Sequence, residues 1–246
     1  MAALPGTEEV PEPSLPPLFS GEAATAPFDA AIAAARDGTD PGLITYNIPP
    51  DHLSAALVLA PEAPLEDAMA MILAAANGFA DAFGALAPSE VACQFDWPGG
   101  LRINGARCGA LRALASTGDP AAEPDWLVVG LDVPFFAEAE REPGETPDRT
   151  TLWEEGCSEI EPLRLLESWS RHTLVWIHEW LDNGIPRLHR DWMGRAFSVG
   201  ETVTVDLPTG TESGVFTGLD ERGGLLLKQG EAMRLLPLSA MLEGSK

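Results

Sequence analysis

The sequence predicts an α+β fold, a mixed sheet with packed helices followed from about residue 195 by a small unit of hairpins. Three observations carry this. A strand-turn-strand pattern over 95–110 folds about Asn104-Gly105, a pair that tolerates the positive φ of a type I′ turn. Two stretches, 64–87 and 160–182, repeat apolar residues at helical spacing. Beyond Val199, short β-rich runs alternate with Gly-containing turns.

In chain order, residues 1–23 carry Pro5, Pro11, Pro13, Pro16 and Pro17 beside Glu8-Glu9. Such a stretch buries too little apolar area to offset its ordering entropy and is expected to be a flexible arm, loose or extended. Pro27 near a first turn, with Phe28, Ala31, Ile32 and Ala35 on one face, predicts a helix over 27–37. The turn Gly38-Thr39-Asp40-Pro41-Gly42 leads into a strand over 43–48, and 53–60 reads as a central strand. Over 64–87, Leu65, Met69, Ile72, Ala76, Phe79 and Phe83 share a core face. The strand over 90–96 stops at Trp97-Pro98-Gly99-Gly100, because Pro98 donates no ladder hydrogen bond. Gly109, inside the next strand, lets a ligand or another backbone approach closely. After an acidic loop, 126–133 is a further strand. A loop rich in Glu, Pro and Arg spans 136–160. The stripe Leu165, Trp169, His172, Trp176 and Trp180 marks the longest helix as a core helix. Gly184 caps it, and a shorter helix runs to about Met193.

Bulk composition excludes several functions. Lys and Arg number 15 against 38 Asp and Glu, a net charge of -23, which repels phosphate backbones and argues against nucleic acid as a partner. No apolar run reaches the length of a membrane span, and no basic region leads an apolar stretch at the N-terminus. A cytoplasmic protein without a membrane partner is therefore expected. The three cysteines, Cys93, Cys108 and Cys157, are odd in number and form no CxxC pair, so buried free thiols are expected. His172 and His178 are six apart and do not face each other as metal ligands, and no metal site is expected.

The segment 96–111 resembles the centre of the biotin and lipoate protein ligases, which reads Lys-Trp-Pro-Asn-Asp, a hairpin, then Ala-Gly-Ile-Leu. Trp97, Pro98, Gly109 and Leu111 match it. Asp96 stands at the lysine, and Gly99 and Gly100 at Asn-Asp. The family's Ser-Thr-Asn corresponds to Ala24-Thr25-Ala26, where Thr25 reads equally well as a helix-start residue. Its glycine- and arginine-rich nucleotide loop is expected at 38–42, yet no arginine lies between Arg36 and Arg102. The family strand Val-Ile-Gly-Ile-Gly-Ile-Asn is matched by Val129-Gly130, with Asp132 at the second glycine and Pro134 at the asparagine. The Gly184-to-Trp192 spacing is shared, and 214–227 resembles the C-terminal domain of bifunctional biotin ligases without a gap.

The resemblance implies a ligase domain over 24–194, of the class II synthetase and biotin ligase type, and an SH3-like barrel over 195–246. It implies an enzyme that activates biotin, lipoate or another small carboxylic acid with ATP and transfers the acyl group to a biotinyl or lipoyl carrier protein. Ligand-binding residues carried over are Thr25, Trp97, Gly99, Gly100, Arg107, Gly109 and Gly130; no catalytic residue is assigned. Gly99, Gly100 and Gly109 are expected to line a concave site floored by Trp97 and the strand 128–130, with Asp96 paired to Arg102 or Arg107 or turned to solvent. Weak or absent ATP binding is expected, because Asp96 opposes the negative charge that phosphate chemistry builds. Three readings follow. One is a divergent ligase or acyltransferase in which Arg102, Arg107 or Arg112 supplies the positive charge. The second is a catalytically inactive homologue that binds a small acid or a carrier protein. The third is a purely structural interaction protein that uses the C-terminal barrel.

Overall fold

A computed structural model describes residues 12–137 and 148–242. In chain order the elements are β1 (Ser20–Ala23), α1 (Pro27–Arg36), β2 (Leu43–Asn47), β3 (His52–Leu59), α2 (Leu65–Ala68), α3 (Ala70–Leu86), β4 (Cys93–Asp96), β5 (Gly100–Ile103), β6 (Ala106–Ala115) and β7 (Leu127–Pro134). Then come α4 (Pro162–Asn183), α5 (Pro186–Met193), β8 (Thr202–Leu207), β9 (Gly210–Leu219), β10 (Leu225–Gln229) and β11 (Ala232–Leu236). Strands β1 to β7 form one mixed sheet in the order β1-β2-β3-β7-β6-β5-β4. Only β1 and β2 run parallel; every other neighbouring pair is antiparallel.

Side-chain alternation sorts the two faces of this sheet. Leu53, Ala55 and Leu57 of β3 and Leu127, Val129, Leu131 and Val133 of β7 join the main core with α3 and α4. Ala56, Val58 and Val128 point the other way and meet Ala31, Ile32 and Ala35 of α1. Helix α3 is buried almost all round, from Ala70 to Phe83. The stretch Leu65–Leu86 is long and apolar enough to cross a membrane, yet 78% of its most apolar window lies inside the protein. It is a core element. Where a single helix over 64–87 was expected, the chain breaks at Met69, whose ψ of −15° tightens the turn so that Ile72 N–H reaches the Met69 carbonyl.

Helix α4 crosses α3 at Gly78. A Cβ there would stand 2.8 Å from the backbone nitrogen of Thr173 and 2.9 Å from its Cα, so hydrogen is what lets the backbones meet. Beside this contact Trp169 Nε1 donates to the Ala75 carbonyl at 3.1 Å, and Asn77 Nδ2 donates to the Leu188 carbonyl of α5 at 3.0 Å. Leu165, Trp169 and Trp176 of the expected stripe are buried, while His172 and Trp180 are half-buried.

The hairpin at Asn104-Gly105 forms with φ of 49° and 89°. In the arm expected to be loose or extended, Ser20–Ala23 add a parallel edge strand to β2. Prolines forbid helix but not extended chain. Ser14 N–H donates to Glu167 of α4 at 2.8 Å, and Leu15 fills the space over Gly21. The rest of the arm, residues 1–11, and part of the 136–160 loop, residues 138–147, lie outside the described residues.

Strands β8 to β11 form a separate antiparallel sheet in the order β11-β10-β9-β8, completed by a 3-10 turn over Leu238–Met241. No strand pair closes it into a barrel among the described residues, though the topology is compatible with an SH3-like unit. Phe216, Leu225, Leu227 and Leu236 belong to the same core as the large sheet. Trp97 Nε1 donates to the Gly223 carbonyl at 2.9 Å, and Arg222 spans Glu66 at 2.6 Å and Asp67 at 3.1 Å. The backbone of Phe95 also bonds Arg195 and Phe197.

Gly78→Ala should force α3 and α4 apart and lower stability by about 1–3 kcal/mol, read from urea unfolding. Gly84→Ala, on the same helix with open space at its Cβ, should be neutral or slightly stabilising.

Candidate functional site

On the α1 face, alternation in β3 and β7 sets polar groups side by side. Ser54 lies opposite Asp132 in the antiparallel register, and His52 is two residues away on the same face. Ser54 Oγ donates to Asp132 Oδ2 at 2.8 Å, and His52 Nε2 lies 3.0 Å from the same oxygen. Burial works against the charge of Asp132. The hydrogen bonds from His52 and Ser54, with the positive charge of His52 and of Arg112, outweigh it and hold the carboxyl below its ordinary value of 3.8. Ser54 and Asp132, with Thr25, Phe28 and Arg112, line a recess of about 160 Å³ at the N-terminal end of α1. Over Gly130 the ring of Phe28 closes down, so that a Cβ would stand 2.6 Å from it. The Arg112 guanidinium lies 4.0 Å above that ring.

A second recess, about 380 Å³, opens between the β4–β5 edge and β8. Asp96, Trp97, Pro98, Arg102, Arg107, Phe197 and Ser198 contribute to it. Asp96 is paired, as one branch of the expectation has it: Arg102 Nε lies 2.7 Å from Oδ2 and Arg107 Nε 3.5 Å from it. Arg102 also donates to the Gly105 carbonyl at 2.5 Å and covers the Phe197 ring at 4.3 Å. It is nearly buried, its side chain 12% exposed.

The residues singled out from the sequence are thus divided. Trp97 and Arg107 share the second recess, and Thr25 belongs to the first. The three glycines do not line an open concavity above Trp97, which corrects that expectation. The space at Gly99 is taken by the Leu111 backbone, at Gly100 by the Asp96 side chain, and at Gly109 by the Asp132 carbonyl and Val133. Gly109, with φ of +126°, therefore serves the close approach of another backbone. Gly130 is covered by Phe28. His52 and Ser54 were not singled out; their signal was the i, i+2 alternation of polar residues in an otherwise apolar strand. The thiols are free, Cys108 and Cys157 buried and Cys93 half-buried; desolvation raises Cys93 to about 12 and pushes Cys108 and Cys157 up as well, which disfavours their thiolates. Among the described residues no group of three or more His, Cys, Asp or Glu side chains is arranged to hold a metal ion.

Residues 15–194 match the biotin/lipoate A/B protein ligase family. The chain belongs to that family. Residues 199–237 match the biotin protein ligase C terminal domain. A biotin--[acetyl-CoA-carboxylase] ligase from Paracoccus denitrificans is 22% identical over 231 residues, 94% of each chain. A crystal structure of a biotin protein ligase-like protein of unknown function from Silicibacter sp. TM1040 is similar with a TM-score of 0.87 and 50% identity, over 94% of this chain and 99% of that one. Biotin protein ligase from Aquifex aeolicus shares the fold with a TM-score of 0.72 at 16% identity, over 91% and 97% of the two chains.

A carboxyl whose value is lowered on folding adds stability that is complete above the unfolded value, about 3.9, and is lost as the pH falls through the folded value. Asp132→Asn should therefore be less stable than the natural chain at pH 7. The gap should shrink as the pH falls below 4, as measured by urea midpoints across that range.

Proposed function

We propose that this family member binds a small carboxylic acid or its carrier protein without activating the acid with ATP, as an inactive ligase homologue. The observation that carries this reading is the ion pair of Asp96 with Arg102 and Arg107. In an adenylating site, positive groups must be free to meet the charge that builds on phosphate. Here the carboxylate brings negative charge to that place and takes up the guanidinium of nearly buried Arg102. The lack of any arginine between Arg36 and Arg102 removes the cations of the nucleotide loop as well. The relatives named as biotin ligases support biotin, or an acid like it, and a carrier such as that of acetyl-CoA carboxylase as the first ligands to try.

A second reading is an acyltransferase that takes an already activated acyl group. Arg112 favours it, since among the described residues no carboxylate forms an ion pair with its guanidinium, which lies on Phe28 beside the Thr25 recess.

Pyrophosphate exchange with ATP and either biotin or lipoate should be absent. Asp96→Lys should not create it, because the new ammonium would stand against Arg102 and Arg107; the variant should instead lose about 1–3 kcal/mol of stability. Exchange at a rate comparable to an active biotin ligase would overturn the first reading. Transfer of a labelled acyl group from a thioester to a carrier domain, without ATP, would select the second.

A further inference from the structure

With 38 acidic residues against 15 basic ones, a surface arginine in this protein rarely lacks a carboxylate neighbour. Arg102, Arg107, Arg164, Arg187, Arg190, Arg195, Arg222 and Arg234 all have one within 4 Å. Among the described residues Arg36, Arg112 and Arg171 have none within that distance, and Arg36 and Arg112 line one cavity of about 470 Å³ between α1 and β6. Asp29 also borders it but forms no ion pair with either arginine. The remaining walls are apolar, chiefly Phe28, Ile32, Leu114 and Met241. This cavity is distinct from the Thr25 recess: Phe28, Asp29 and Arg112 form a common wall, while Ser54 and Asp132 border only the recess and Arg36 and Met241 only the cavity.

We propose that this cavity binds a phosphate monoester with an apolar substituent. The guanidinium of Arg112 is held flat on Phe28 at 4.0 Å, so its edge is fixed in direction before any ligand arrives. Arg36, in the last turn of α1, brings a second planar fork to the same space. Two forks suit a dianion with three terminal oxygens, whereas a carboxylate satisfies one fork. The volume lies in the range of about 300–1,000 Å³ usual for small organic ligands, and Ile32, Leu114 and Met241 would cover an apolar body. The inference does not depend on the readings above: it shares Arg112 with the second of them but rests on Arg36 and on a different head group.

The test is calorimetric titration of the full chain with hexyl phosphate, hexanoate and inorganic phosphate at fixed ionic strength. Saturable binding of hexyl phosphate is expected, tighter than either of the others. Arg36→Gln, an exposed substitution whose fold is checked by circular dichroism, should weaken it by about tenfold or more. Competition from vesicles containing phosphatidate would place the same head group on a lipid; indifference to them would place it on a soluble ester. No saturable binding, equal affinity in Arg36→Gln, or hexanoate binding as tightly as the phosphate ester would overturn the proposal.

Discussion

Helix α3 has no side to give to water, and the architecture follows from that constraint. One flank is met by β4, β6 and β7, another by α4 and α5, and Leu73 meets the turn at Gly223 between β9 and β10. A helix apolar all round is stable in water only where it is enclosed. Gly78 sets how closely the enclosure fits, since it brings the Thr173 backbone within reach of the α3 backbone. The Asn77 amide, buried in the same helix, then donates from Nδ2 to the Leu188 carbonyl and so fixes α5.

Much of this was legible from residue order because the signals were local. The Asn104-Gly105 turn, the Gly184 cap at φ of +71° and the period of Leu165, Trp169 and Trp176 each depend on a few neighbouring residues. The family resemblance then supplied the order of the elements. What the sequence did not disclose lies between segments far apart. Ser20–Ala23 has no strand signal of its own and is ordered by β2, against which it lies parallel. The same holds at the candidate site. Gly109 was read correctly as a place of close approach, but the approaching group, the Asp132 carbonyl, is 23 positions away in sequence. Phe28 reads as a core residue of α1, and nothing nearby in the chain says that its ring closes over Gly130.

Electrostatics ties the two acidic clusters together. A carboxylate such as Asp96, in a protein at -23, would add repulsion if it stood alone. Arg102 and Arg107, on the two strands of the adjoining hairpin, converge on it, so the carboxylate and its partners are one unit. Asp132 is treated in the same way by His52 and Ser54 from the neighbouring strand. Both carboxylates are thus built into hydrogen-bonded clusters, which is how a sheet accommodates charge that it half buries.

The core that runs without interruption from the large sheet into the small one has a consequence for how the protein comes apart. Phe216, Leu225, Leu227 and Leu236 are covered by side chains of the ligase-like part, and the Trp97 indole bonds to the Gly223 carbonyl across the seam. Cutting the chain near Gly194 would expose that shared apolar surface on both pieces at once. Neither piece would be a ready-made soluble module; each would carry an adhesive face prone to aggregation. A protease or a stalled ribosome acting at that connection would therefore leave sticky fragments where a looser two-domain protein would leave two folded ones.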